Sequence, residues 1–120
     1  MRVVYVAGPF RGANSWDMEQ NIRRAEELAM EVWRIGLVAF CPHANARYSF
    51  GVGEDDDWLS GDLEILERCD AILFTPDWER SSGARTEHAK ALEHGIPVFY
   101  DLKELDLART AGAGSRDDYE

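Results

Sequence analysis

Residues 61–70 read GDLEILERCD, residues 71–76 AILFTP, residues 81–89 SSGARTEHA and residues 95–100 GIPVFY. In order these are helix, strand, glycine-containing turn, helix and strand. At about 100° per residue, a helix over residues 58–68 gathers Trp58, Leu59, Leu63, Ile65, Leu66 and Cys69 on one arc and Ser60, Glu64, Glu67 and Arg68 on the other. The short apolar run after it suits a buried strand. The next helix, over residues 84–94, stops at Gly95. The strand over residues 96–100 carries Pro97 near its start, where proline is tolerated.

Two acids in this stretch are hard to explain as surface decoration. Asp62 falls inside the apolar arc, a turn after Trp58 and a turn before Leu66. A carboxylate there must be paired, hydrogen-bonded or functional, because burying it alone is costly. The plainer alternative is a helix-start acid that bonds nearby backbone amides. Glu87 lies one turn beyond the Ser81-Ser82-Gly83 turn, beside the small Ala84 and Ala91. Such a turn aims backbone N–H groups and the positive end of a helix at an anion. A capping-box role for Glu87 fails on spacing, since the residue three before it is Ala84 rather than Ser or Thr. A solvated helix-face Glu stays open.

The rest of the chain repeats the same alternation. Residues 2–7, RVVYVA, read as a buried strand that stops at Gly8-Pro9-Phe10-Arg11-Gly12. In open α/β sheets ligands bind at that end of the strands. The glycine spacing matches neither a dinucleotide fingerprint nor a Walker loop, and a plain structural turn is the competing reading. Asn14 or Ser15 caps a helix whose apolar period runs Met18, Ile22, Ala25, Ala29 and Val32, ended by Gly36. That helix reads as packing without chemistry. Residues 37–41 form the second strand and lead into Pro42-His43-Ala44-Asn45, which places His43 and Asn45 on the same rim as Gly8 and Arg11. Residues 47–57 read as a flap with a solvated acidic run, Asp57 capping the following helix. Trp78 either covers a ligand or covers the sheet. Residues 102–108 form a last short helix, and residues 111–120 a C-terminal tail.

The expected fold is therefore α/β: a three-layer, flavodoxin- or Rossmann-like parallel sheet of four to five strands in the order 2-1-3-4, with helices on both faces and right-handed crossovers. Residues 1–110 make a single domain. The switch point between the first and third strands brings the Gly8–Gly12 turn beside the Ser81–Gly83 turn, with Glu87 and Asp62 nearby.

Composition removes other classes. Apolar content of 45% fits a folded domain, and no stretch reads as a membrane span or a leader, so a cytoplasmic protein without a membrane partner is expected. A net charge of -10 argues against a nucleic-acid polymer as partner, whose phosphates need clustered Lys and Arg. A small phosphorylated ligand needs only a local nest of amides and an Arg. The two cysteines, Cys41 and Cys69, have no metal or redox spacing, and the three histidines, His43, His88 and His94, form no zinc pattern. No metal and no cofactor are expected.

The ordered set Tyr5-x-x-Gly8 with Arg11-Gly12, Pro42-His43, Asp62-Leu-Glu with Cys69-Asp70, and Ser81-x-Gly83-x-x-x-Glu87 with Ala91 and Gly95 resembles the nucleoside 2-deoxyribosyltransferase-like family. That family includes the 2'-deoxynucleoside 5'-phosphate N-hydrolases and small uncharacterised relatives. Pro9 and the Gly83-Ala84 pair look closest to those small relatives. The resemblance implies that Glu87 attacks the anomeric carbon of a (deoxy)ribosyl group, that Asp62 assists the leaving base and helps position the sugar, and that Tyr5 lines the same pocket. Water or a second base then releases the sugar. It also implies that Gly8, Arg11, Gly12, Ser81 and Gly83 stand where a 5'-phosphate is held, and that the chain forms a homodimer or higher homo-oligomer. The reading from residues and resemblance together is cleavage or transfer of the N-glycosidic bond of a nucleoside or nucleoside 5'-monophosphate. The alternative is a non-catalytic nucleotide-binding or sensing module using the same pocket.

Overall fold

A valine-rich apolar run near the N-terminus forms the inner strand β1 (Val3–Ala7), in which Val4 to Ala7 are fully buried on both faces of the sheet. The structure is a computed structural model that describes residues 1–46 and 53–111. The strands β2 (Val38–Phe40), β3 (Ala71–Phe74) and β4 (Val98–Phe99) complete a four-stranded sheet in the order β2-β1-β3-β4. Every pairing is parallel, with Tyr5 opposite Phe40 on one side and Ile72 on the other. This is the expected topology, with four strands.

The alternation along each strand sorts the core into two layers. Val4, Val6, Ala71 and Leu73 point to the face covered by α1 (Ser15–Arg34) and α5 (Leu102–Ala111), where they meet Ala29, Val32 and Leu105. Tyr5, Ala7, Ile72 and Phe74 point to the face covered by α3 (Asp55–Leu66) and α4 (Ser82–Glu93), where they meet Leu66, Ala84 and Ala91. Each large apolar side chain so buried contributes about 1.5–3 kcal/mol. Helices on both faces follow from the crossovers that parallel strands require.

Asp70, just ahead of β3, fixes the register. One of its carboxylate oxygens accepts from the backbone N–H of Arg2 at 3.0 Å and of Val3 at 2.8 Å, and its own N–H donates to the Val3 carbonyl at 2.8 Å.

One local expectation is borne out in its first form and others change. Asn14 is the cap of α1, its side chain accepting from Asp17 N at 2.8 Å. Residues 42–45 are not a loop: Pro42–Ala46 is a short helix, α2, with proline at its first position, where its missing N–H costs nothing. The helix expected from Trp58 begins a turn earlier, capped by Glu54, and Asp57 reaches back to Glu54 N at 3.1 Å. The acidic run is thus a helical first turn, where negative charge complements the helix dipole. Asp62 then lies well inside α3, which removes the helix-start explanation for it. Of the expected flap, residues 47–52 lie outside the described residues, as do residues 112–120 of the expected tail; α5 extends to Ala111. No helix among the described residues is long and apolar enough to cross a membrane.

Candidate active site

The first turn after β1 is forced tightly against its neighbours. A Cβ on Gly8 would stand 2.3 Å from Thr75 Oγ1, and one on Gly12 2.5 Å from the Asp17 Cβ, so only glycine admits this path. Behind the turn, His43 is 5% exposed and its Nε2 lies 2.8 Å from the Pro9 carbonyl, to which it donates. Burial depresses the His43 pKa, against the pull of the Pro9 and Gly8 carbonyls, so the ring is a neutral fixed donor. The second turn is organised by Ser81, which caps α4 by accepting from Ala84 N at 3.1 Å. The first residues of the 12-residue α4 and the turn after β1 edge one cavity of about 870 Å³.

Glu87 and Asp62 both line this cavity. Glu87 is 6% exposed, and its Oε2 accepts from the Tyr5 hydroxyl, which rises from the middle of β1. Burial pushes the Glu87 carboxyl up to about 8; the Tyr5 bond pulls against this, and the Asp62 charge adds to it. Burial also raises Asp62, to about 6. Tyr5, fully buried beside two acids, is driven far above the ordinary phenol value and stays a donor. Both carboxyls are thus raised toward neutrality, Glu87 the more strongly, so it is the more readily protonated of the pair.

Of the residues singled out in the sequence, Gly8, Pro9, Phe10, Arg11, Gly12, His43, Asp62, Ser81, Gly83 and Glu87 all border the cavity. Tyr5 does not; it reaches the site through Glu87 from below. Asn45 is exposed on α2 and is not part of the wall, because the helical turn carries it away from the rim. Trp78 covers the sheet: it stacks on His88 with centroids 4.5 Å apart and meets Phe74 at a tilt, with centroids 4.8 Å apart.

Sequence reasoning missed two wall elements. Trp58 and Leu59 enter the cavity from the first turns of α3, and Asn21 enters it from α1. Asn21 had a signal, since it stands one turn before Ala25 inside the apolar stripe of α1 and is 6% exposed.

Both carboxyls and both backbone turns thus border one cavity, with Glu87 held by the Tyr5 phenol. The family model of the domain of unknown function DUF4406 matches residues 2–100. The chain belongs to that family. Among solved structures, this DUF4406 domain is similar to a 2-deoxyribosyltransferase from Bacillus psychrosaccharolyticus, with a TM-score of 0.59 and 21% identity, covering 80% of this chain and 69% of that one. It is also similar to a 2-deoxyribosyltransferase from Leishmania mexicana, with a TM-score of 0.58 and 18% identity over 82% of this chain and 62% of that one. At such identities the likeness is one of fold. The DUF4406 chain spans about two thirds of the length of these neighbours. No curated protein sequence matches it.

Proposed function

We propose that this domain cleaves or transfers the N-glycosidic bond of a (deoxy)nucleoside or nucleoside 5'-monophosphate. The observation that carries the reading is the buried Glu87, held by the Tyr5 hydroxyl in the wall that also contains Asp62. The fold shared with two 2-deoxyribosyltransferases supports it.

The chemistry follows from one shared proton. The reactive arrangement has Glu87 ionised and Asp62 protonated. When a ligand covers Asp62, added desolvation raises its pKa and favours that arrangement over the resting one. A Glu87 oxygen then forms a bond to the anomeric carbon as the carbon–nitrogen bond breaks. The bonding pair leaves with the base, which takes its proton from Asp62. Water or a second base, either one losing a proton to Asp62, then attacks the same carbon, and the bond from that carbon to Glu87 breaks with its electron pair returning to the carboxylate. Tyr5 keeps the attacking carboxylate oriented. The two glycine turns hold the sugar's 5' end, where backbone amides and the start of α4 suit a phosphate. Trp58 offers a ring face for the base. Assembly into at least a dimer, in which a neighbour completes the cavity, belongs to the same proposal.

The test is base release from ribo- and deoxyribonucleosides and their 5'-monophosphates, with wild type beside Glu87→Ala and Asp62→Asn. Free base that appears with wild type and is lost in Glu87→Ala supports a glycosidase. New nucleosides on adding an acceptor base make it a transferase. Nucleotide binding without turnover on any substrate would replace this reading with a binding module.

A further inference from the structure

Asn21 is committed at both ends of its side chain. Nδ2 donates to the carbonyl oxygens of Phe10 at 3.3 Å and Arg11 at 3.2 Å. Oδ1 accepts from Arg24 Nη2 at 2.5 Å. Reversing the amide would set its NH2 against a guanidinium and its oxygen against two carbonyls, so the network fixes one orientation. Arg24 also faces Asp77, with Nη2 3.9 Å from Oδ2. Asp77 in turn accepts from Thr75 Oγ1 at 2.9 Å and from Arg80 Nη2 at 2.6 Å. Thr75 is the residue against which Gly8 packs, and Arg80 directly precedes Ser81, the cap of α4.

A continuous polar path therefore runs from the first turn, through α1, to the second. Arg24 and Arg80 are exposed and Asp77 is half-buried, and ion pairs made by such exposed arginines add little to stability. Asn21 and Thr75 are its buried members, and Asn21 is the one that holds the carbonyls of the first turn. With His43 on the Pro9 carbonyl and Asn21 on the next two, three consecutive carbonyls of the turn are tied to flanking helices. A carbonyl released from this arrangement would turn its negative end toward an anionic ligand.

The geometry points to Asn21 as a positioning residue that orients the peptides of residues 10–11 for a ligand's anionic end and, through Arg24 and Asp77, keeps that turn in register with the turn at residues 81–83. This rests on the reading of the cavity as a nucleoside or nucleotide site. The residue acts on the part of the ligand remote from the reacting carbon, so its loss should weaken binding more than it slows chemistry.

The test compares wild type with Asn21→Asp, which keeps the shape but replaces the donor by an acceptor. Because a buried carboxylate can unfold the chain, it also includes Asp77→Asn, which cuts the path near its exposed end. With a deoxyribonucleoside 5'-monophosphate as substrate, KM should rise about tenfold in Asn21→Asp and about threefold in Asp77→Asn, with kcat changed by less than about threefold. An unchanged KM in both variants, or a kcat that falls as far as KM rises, overturns the inference. Amide NMR spectra of the unliganded proteins read the same path without turnover. Both variants should shift amides of residues 9–12 together with those of residues 81–84. Shifts confined to the element that carries the substitution overturn the inference. Should no nucleoside be cleaved, the glycosidase reading fails on its own, and these shifts still decide for or against Asn21.

Discussion

The hydroxyl of Tyr5, on the central strand, donates to Oε2 of Glu87, 82 residues later in the chain. The bond joins the sheet to the cavity wall, and it favours the ionised form of a carboxyl that burial otherwise drives toward the neutral form. Tyr5→Phe removes the donor while keeping the ring in its layer. Glu87 should then ionise less readily, and kcat for base release should fall about tenfold to hundredfold, the range of a hydrogen bond to a charged group. The alkaline limb of the pH profile should move upward. A Tyr5→Phe enzyme with wild-type kcat and profile would remove the phenol from the mechanism.

The two carboxyls, near about 6 and about 8, predict a bell-shaped dependence of kcat/KM on pH. Below the lower value both are protonated and nothing attacks. Above the upper value both are ionised and the leaving base finds no proton. The rate should be highest between the two, and Asp62→Asn should flatten the bell by removing one titrating member. These limbs belong to the pair rather than to either residue.

Stability carries the same signature with the opposite benefit. The folded pKa of Glu87, about 8, lies above its ordinary value of 4.5, so the folded state binds this proton more tightly than the unfolded one. That contribution is fully present below about pH 4.5 and is lost as pH rises through about 8. Glu87→Gln, which never ionises, should therefore be close to wild type at pH 5 and more stable at pH 9, by on the order of 4 kcal/mol. Urea melts at the two pH values measure it. Equal offsets at both would mean that the buried carboxyl is not the cause.

Gly8 offers a test of the first turn. Gly8→Ala places a methyl 2.3 Å from Thr75 Oγ1, and Thr75 is buried and anchored by Asp77. The substitution should cost about 1–3 kcal/mol, as overpacking does. In a Thr75→Ala background the same change should cost much less. A double-mutant cycle that sums without an interaction energy would place the strain elsewhere.

Much of this molecule was legible in its sequence because the signals were periodic. A helical segment separates each strand from the next, which suits a parallel sheet, and the switch point then brings together residues as distant as Gly8 and Glu87. Asp62 stood out because a charged residue broke an apolar arc. Applied to the first helix, the same reasoning identifies Asn21, but its neighbours Met18, Ile22 and Ala25 are so regular that the helix read as packing alone. Local chemistry was less readable. The proline at position 42 opens a short helix rather than a turn, and that single rotation turns Asn45 outward while His43 points inward. The acids at residues 54–57 resemble a solvated run in composition, yet they form a capped helical start. Composition alone does not distinguish the two, since both place acids beside exposed backbone N–H groups. The role of Tyr5 was implied by resemblance, while its route to the cavity through Glu87 depends on a contact between distant segments that no local pattern encodes.

The reciprocal pairing of Asp70 with the start of β1 sets which way the phenol points. Side chains alternate along a strand, so a slip of one residue would carry Tyr5 into the layer beneath α1 and α5, among Val, Leu and Ala, and set an aliphatic neighbour under Glu87. Two backbone amides clasped by one carboxylate make that slip unfavourable at the outset. A descendant of this chain could preserve every residue around the cavity and still lose its arrangement by losing an acid at the opposite end of the two inner strands.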